Sequence, residues 1–279
     1  MHAPELFTLT ATPYKNDCTY TEILPCKALL PFVRCFWGSK KPYIVTKSHL
    51  TGSTIIPDAC VDLIYSIDYT ANKISAGFCG VNDQSFFSQP RFCEGHLSAT
   101  FAIRFYAWNV YKFSEDSLKN TANGFLPPGA CFSWLDRQLC HNMFDLETLN
   151  RRAEFAQNLL LQKLYNARQN INFDAAMNYI IFNKGNTGIF QLAEEMLVST
   201  RQLERIFAEN LGLSPKKIAS LVRYQFLWNK ILREPDFNVL DAVYELGFTD
   251  QSHLLHEFKK FHTTDIGTAK RTALLPFFN

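Results

Sequence analysis

Two short arrangements in the final third of the chain carry side chains suited to contacting nucleic-acid bases. In the first, residues 190–207, Thr200, Arg201, Glu204 and Arg205 recur on one helix face, with Leu203, Ile206 and Phe207 turned inward. Arg matches the O6 and N7 acceptors of guanine, and Glu accepts from cytosine N4. In the second, residues 239–258, Gln251, Ser252, His253 and His256 face outward while Leu254 and Phe258 are core. Gln pairs with adenine, and His reaches a base or a phosphate. Lys259 and Lys260 follow as phosphate contacts, which position a duplex without specifying sequence. For each side chain the alternative is ordinary solvated surface.

The elements that must hold these residues are legible around them. Each arrangement reads as a short apolar helix with a central alanine (Ala193, Ala242), a tight turn, a Ser or Thr cap, and a helix ending in Phe. Ala193 and Ala242 fit where two helices approach closely, and Gly247 supplies a turn conformation that larger residues resist. Between the two units, Gly212 ends one helix and Ser214-Pro215 starts another, broken at Glu234-Pro235-Asp236. This is helix-turn-helix patterning, repeated.

The run Glu245-Leu246-Gly247-Phe248-Thr249-Asp250-Gln251-Ser252-His253-Leu254, with Phe258-Lys259-Lys260-Phe261 after it, resembles the signature of the AraC family of bacterial transcription regulators. The resemblance covers residues 173–271. It implies two reading helices joined by the long segment 214–233, entering successive major-groove faces about one helical turn, roughly 34 Å, apart. The chain departs from the family at three points here: Leu197 stands where Gly is usual, His262-Thr263-Thr264-Asp265-Ile266 stands where a Gly and then Thr-Pro are usual, and Ala269 stands where Tyr is usual.

The first half reads differently. Alternating or apolar runs at 32–37, 53–57, 61–67 and 99–105, separated by turn-rich pieces, predict many short strands. Asp58, Asp62 and Arg104 are charges set in apolar strands, and buried charge is costly unless paired. Two readings stay open: an ion pair that fixes the domain, or a polar anchor in an aromatic pocket with Trp37, Tyr65, Phe105 and Tyr106. The strand entry Ile56-Pro57-Asp58-Ala59-Cys60-Val61-Asp62 resembles one found in sensor domains of some AraC-family regulators, with Ala59 in place of Gly. That resemblance implies a small-molecule effector or a dimerisation role.

Composition bounds the rest. The formal charge is +2, and residues 175–279 hold 12 Lys or Arg against 11 Asp or Glu. A polybasic protein is excluded, and DNA binding must rest on placement, or on two copies sharing the load, with a steep salt dependence. All eight cysteines lie at or before Cys140, which points to two compositionally distinct parts. No C-x2-C pair occurs, so buried small hydrophobes are expected, with a thiol- or metal-responsive regulator as the alternative. The start of the chain lacks a secretion leader, and no apolar run is long enough for a membrane helix, so a cytoplasmic location is expected.

The helix at 152–165 carries an apolar stripe that could pack within the chain or against a second copy. No H-E-x-x-H, G-x-S-x-G or phosphate-cradling Gly loop appears, so no enzyme activity, metal or cofactor is expected. A barrel enzyme fused to a DNA-binding module is the alternative from another class.

The expectation is therefore a two-domain α+β chain. Residues 1–125 form a mostly-β, cupin-like barrel, 126–172 a helical connector that could serve dimerisation, and 173–279 an all-α double helix-turn-helix. Its expected partners are double-stranded DNA, a small effector, a second copy of itself, and RNA polymerase.

Overall fold

The computed structural model describes residues 19–274. The residues read for a leader, Cys18, and those after Leu274 lie outside that range. The first half forms β1 (Thr21–Ile23), β2 (Val33–Gly38), β3 (Tyr43–Ile44), β4 (Ser53–Ile55), β5 (Cys60–Asp68), β6 (Lys73–Cys79), β7 (Phe86–Ser88), β8 (Leu97–Tyr106) and β9 (Phe125–Leu126). One antiparallel sheet runs in the order β1-β2-β8-β5-β6-β9, with β3 also on β8, and β4 and β7 pair as a separate ribbon. The barrel expected from the sequence is therefore open. Its outer strands, β1 and β9, are only 3 and 2 residues long, too short to carry a closing ladder.

Strand alternation divides the sheet into two unlike faces. In β5 the odd positions Val61, Leu63, Tyr65 and Ile67 are buried and the even positions are half-buried. The odd face packs on α1 (Ser133–Asn142) and α2 (Leu149–Tyr165). There the Tyr65 hydroxyl donates to Asp136 at 3.2 Å, the Phe78 and Phe132 rings meet at 4.9 Å, and Arg152 donates to the Tyr69 hydroxyl at 2.6 Å. Each fully buried Leu or Phe here contributes roughly 1.5–3 kcal/mol. The apolar stripe of α2 is used inside the chain: Ala156, Leu159 and Leu160 are buried, and Phe155 and Leu164 pack against the same core.

The second half is helical: α3 (Ile171–Phe182), α4 (Ile189–Glu195), α5 (Thr200–Leu211), α6 (Pro215–Arg233), α7 (Val239–Leu246), α8 (Gln251–His262) and α9 (Ile266–Leu274). Polar caps start most of them. Asn170, Ser199, Ser214, Asn238 and Asp250 each accept from a backbone N–H in the first turn. Helix α6 is the spine, burying Ile218, Leu221, Val222, Tyr224, Leu227, Trp228 and Ile231 among other residues.

The halves meet at several bonds. Lys217 pairs with Asp83 at 2.7 Å, and the Leu118 N–H donates to the Glu209 carbonyl at 2.9 Å. Asp174 accepts from Tyr111 at 2.9 Å and from Lys112 at 2.7 Å. Buried Gln225 on α6 donates to the Pro57 carbonyl. Among the described residues, no helix is long and apolar enough to cross a membrane.

Candidate nucleic-acid interface and sheet cavity

Each reading head is a short helix, a turn and a capped second helix. In the first, α4 leads to α5, and the Val198 N–H donates to the Ala193 carbonyl at 3.0 Å. In the second, α7 leads to α8, and the Phe248 N–H donates to Val243 at 3.0 Å. The counterpart of Ala193 is thus Val243 rather than Ala242, the alanine singled out from sequence. The second turn is one residue longer: Val198 directly precedes the cap Ser199, whereas Thr249 separates Phe248 from the cap Asp250.

Counted from the caps, Thr200 corresponds to Gln251, Arg201 to Ser252, Gln202 to His253, and Arg205 to His256. Arg201, Glu204 and Arg205 are exposed and Thr200 is half-buried, while Leu203, Ile206 and Phe207 are buried. On α8, Gln251, Ser252, His256, Lys259 and Lys260 are exposed, above buried Leu254 and Phe258. His253 is different. It is half-buried, its Nδ1 accepts from the Thr249 N–H at 3.3 Å, and its ring meets Phe248 edge-on at 5.5 Å. Gln202, which sequence reasoning passed over, is exposed between Arg201 and Arg205. The repeat itself signals it once the two caps are superposed.

The turns show how residues other than glycine are accommodated in left-handed positions. Leu197 has φ 53° and Thr263 φ 62°, and Ala59 in the first half has φ 57°. All three are left-handed positions filled by residues that resist them. Gly247 holds φ 67° without that cost, and a Cβ there would lie 2.1 Å from the Asn186 side chain.

In the first half, the even face of the sheet and the ribbon β4–β7 enclose a cavity of about 560 Å3. Trp37, Asp58, Asp62 and Arg104 line it. Tyr65, Phe105 and Tyr106 do not. Tyr65 and Phe105 lie on the helix-packed face, where Phe105 meets Phe113 at 5.3 Å, and Tyr106 stacks on Trp108 at 5.0 Å. Alternation accounts for Tyr65 and Phe105: Asp62 and Tyr65 are three apart, and Arg104 and Phe105 are adjacent, so each pair points to opposite faces, whereas Tyr106 ends β8 and turns to Trp108. The aromatic walls come instead from Phe86, Phe87, Phe92 and Phe125, mostly in short or loop segments that periodicity does not flag.

The charges are tightly organised. Arg104 donates through Nε to Asp62 Oδ1 at 2.9 Å and through Nη2 to Oδ2 at 3.0 Å. Trp37 Nε1 also donates to Asp62 Oδ1 at 2.9 Å. Asp58 Oδ1 accepts from the Cys60 N–H at 3.0 Å. Burial raises the Asp58 carboxyl above its ordinary range, opposed by the pull of Arg104.

Burial also pushes thiols up: Cys35 and Cys140 to about 12, Cys79 to about 11, and Cys60 and Cys131 in the same direction. Such thiols hold little reactive thiolate at neutral pH. One mixed cluster stands apart from the cavity. Asp68, Cys93 and His96 offer ligand atoms that lie within 4.8 Å of one another, with Asp68 and His96 Nδ1 at 2.7 Å. The sequence signal was the C-x2-H spacing Cys93-Glu94-Gly95-His96, which a search for paired cysteines misses.

Residues 192–271 match a family model described as Helix-turn-helix domain, and residues 21–127 one described as Domain of unknown function (DUF6597). An "Uncharacterized HTH-type transcriptional regulator" of Haemophilus influenzae is 30% identical over 112 residues, 40% of this chain and 37% of that protein. The match thus spans little more than a third of the relative's length. Among solved structures, ToxT from Vibrio cholerae is similar with a TM-score of 0.41 at 9% identity, covering 83% of this chain and 96% of ToxT. An unsaturated fatty acid bound form of ToxT has a TM-score of 0.40 at 10% identity, covering 93% and 97%. At that level of likeness, nothing that ToxT binds transfers to this chain.

Proposed function

We propose that the chain, whose residues 192–271 match a helix-turn-helix family model and resemble the AraC family of regulators, is a sequence-specific transcription regulator of double-stranded DNA controlled by a small effector in the sheet cavity. The observation that carries this reading is a pair of capped helices, α5 and α8, on one spine. They hold Arg201, Arg205 and Gln251 exposed above buried Leu203 and Leu254. Arg201, Glu204, Arg205, Gln251, Ser252 and His256 are the base-reading candidates, with Gln202 added, and Lys259 and Lys260 the phosphate contacts. His253 supports the second turn. A gel shift on the gene's own upstream region tests this. Specific retention at low salt that weakens steeply with added salt is expected, and absence of specific binding overturns it.

Effector control is supported by the path from cavity to spine. Asp58 lines the cavity, and its neighbour Pro57 accepts from Gln225, buried in the middle of α6. A ligand that moves the 57–59 turn would therefore disturb the helix joining the two heads. The near-neutral charge of the helical half favours two copies on one operator, with RNA polymerase as the further partner in the cytoplasm. Sedimentation of the free and DNA-bound protein tests the dimer.

The Asp68, Cys93 and His96 cluster favours a second reading, regulation by a metal ion. Three nitrogen, oxygen and sulfur donors at this spacing suit Zn²⁺ with an open fourth position. A Zn²⁺-dependent change in DNA affinity that Cys93→Ser abolishes supports it, and an unchanged affinity overturns it.

A further inference from the structure

The cavity contains a polar slot whose chemistry narrows the ligand, an inference that rests on the effector reading above. Arg104 Nη1 and Asp58 Oδ2 are both buried atoms without a hydrogen-bond partner. They stand 3.8 Å apart, and both side chains are only 9% exposed. Every other polar atom of the trio is engaged. Asp62 takes the other edge of the guanidinium, Cys60 takes Asp58 Oδ1, and the Trp37 ring lies 5.7 Å beside the Arg104 carbon. Buried polar groups left unsatisfied are costly, so this pair marks the place where a ligand group gains most.

We propose that the cavity binds an uncharged, apolar molecule of aromatic size carrying a hydroxyl, which bridges Arg104 Nη1 and Asp58 Oδ2. One oxygen can lie about 2.8 Å from both atoms across a gap of this width. The hydroxyl accepts from the guanidinium and donates to the carboxylate. A ligand carboxylate would satisfy Arg104 but face Asp58 with a like charge. An ammonium would satisfy Asp58 but face Arg104.

At the slot the carboxylates of Asp58 and Asp62 balance Arg104 and the nearby Arg34, so no spare positive charge is left there for an anion, and Arg91 lines the cavity elsewhere, over the Phe125 ring. The walls set the remainder of the ligand: Trp37, Ile64, Phe86, Phe87, Phe92 and Phe125 offer ring and aliphatic surface.

Equilibrium dialysis of the full chain at pH 7 against four near-isosteric probes tests this. The probes are 2-naphthylmethanol, 2-methylnaphthalene, 2-naphthoate and 2-naphthylmethylammonium. The alcohol is expected to bind at least tenfold more tightly than each of the others. Asp58→Asn should keep the bond from Cys60 through the amide oxygen and place an NH2 where Oδ2 stood. Two donors then line the slot, and preference should pass to the naphthoate by about tenfold, with an unchanged circular dichroism spectrum reporting the fold.

Equal or tighter binding of the charged probes to the unmutated chain overturns the ligand class and leaves the effector cavity standing. Equal binding of methylnaphthalene does the same, because a water then fills the slot. Binding of none of the four overturns both this inference and the effector reading.

Discussion

In the first reading head the turn passes through Leu197, left-handed and 92% exposed. The second turns through Gly247, packed against Asn186. The helices that follow are both 12 residues long, yet they present different chemistry. α5 offers Arg201, Glu204 and Arg205, and α8 offers Gln251, Ser252 and His256 with Lys259 and Lys260 behind them.

Their supports differ as well. The second head is tied to the spine. Arg223 donates to the Gly247 carbonyl at 3.3 Å, pairs with Glu257 at 3.5 Å and lies 4.8 Å over the Phe248 ring. The first head is tied to the sheet-bearing half through Glu209 near the end of α5, whose carbonyl accepts from the Leu118 N–H and the Ser117 hydroxyl. One repeat thus yields two units, one held by its twin's connecting helix and one by the cavity-bearing half.

The largest expected effect breaks the turn comparison. Gly247→Leu, which gives the second turn the residue of the first, should cost about 2–4 kcal/mol in denaturant unfolding, from left-handed strain plus the collision with Asn186. A loss below about 1 kcal/mol would show that the two turns tolerate side chains equally.

Acid should separate the heads next. Burial lowers His262 to about 4 from its ordinary 6.5, and its ring stacks on Phe258 at 4.8 Å. The unfolded chain therefore takes up this proton first as pH falls. The stability is fully present above about pH 6.5 and is lost progressively toward pH 4. The loss should reach about 3 kcal/mol, and His262→Phe should remove that part of the pH dependence. An identical acid midpoint in the variant would discard the assignment.

The reading faces come third. Arg205→Ala and Gln251→Ala should each relax preference at particular base pairs by about 1–3 kcal/mol, measured on a randomised operator. Lys259→Ala should weaken all sequences alike and reduce the salt slope by about one. A uniform loss from Arg205→Ala would refute its role. The smallest effect is Leu197→Gly, expected to stabilise by about 1 kcal/mol because strain relief exceeds the added freedom of the unfolded chain. A destabilised variant would mean that the exposed leucine has a contact worth keeping.

Much of this was readable from residues alone, and the misses are instructive. Two glycine positions implied by the family resemblance fall at Ala59 and Leu197, and both backbones are left-handed; after Phe261 the resemblance implied a glycine without fixing its position, and the left-handed residue there is Thr263. The caps Ser199 and Ser214, the helix stop at Gly212 and the inward faces of α5 and α8 also follow from local pattern. Ala242 is buried as expected, but its residue type hid the register: the Phe248 to Val243 bond makes Val243 the counterpart of Ala193. Tyr65 and Phe105 were drawn to the cavity by their aromatic character, although alternation from Asp62 and Arg104 already assigned them to the other face.

The sequence by itself determined most of the elements, the caps Ser199 and Ser214, the repeated heads and the alternation of β5, because these depend on backbone preferences acting over a few residues; the Ser or Thr cap it implied for α8 is Asp250 instead. The tertiary structure decided which charges face each other and how far apart. Asp62 meets Arg104 because β5 and β8 pair in one register. Asp58 stops 3.8 Å short because the turn through Ala59 sets its direction. No local preference encodes that gap. It arises where strand register, turn geometry and the Pro57 contact with α6 are satisfied together.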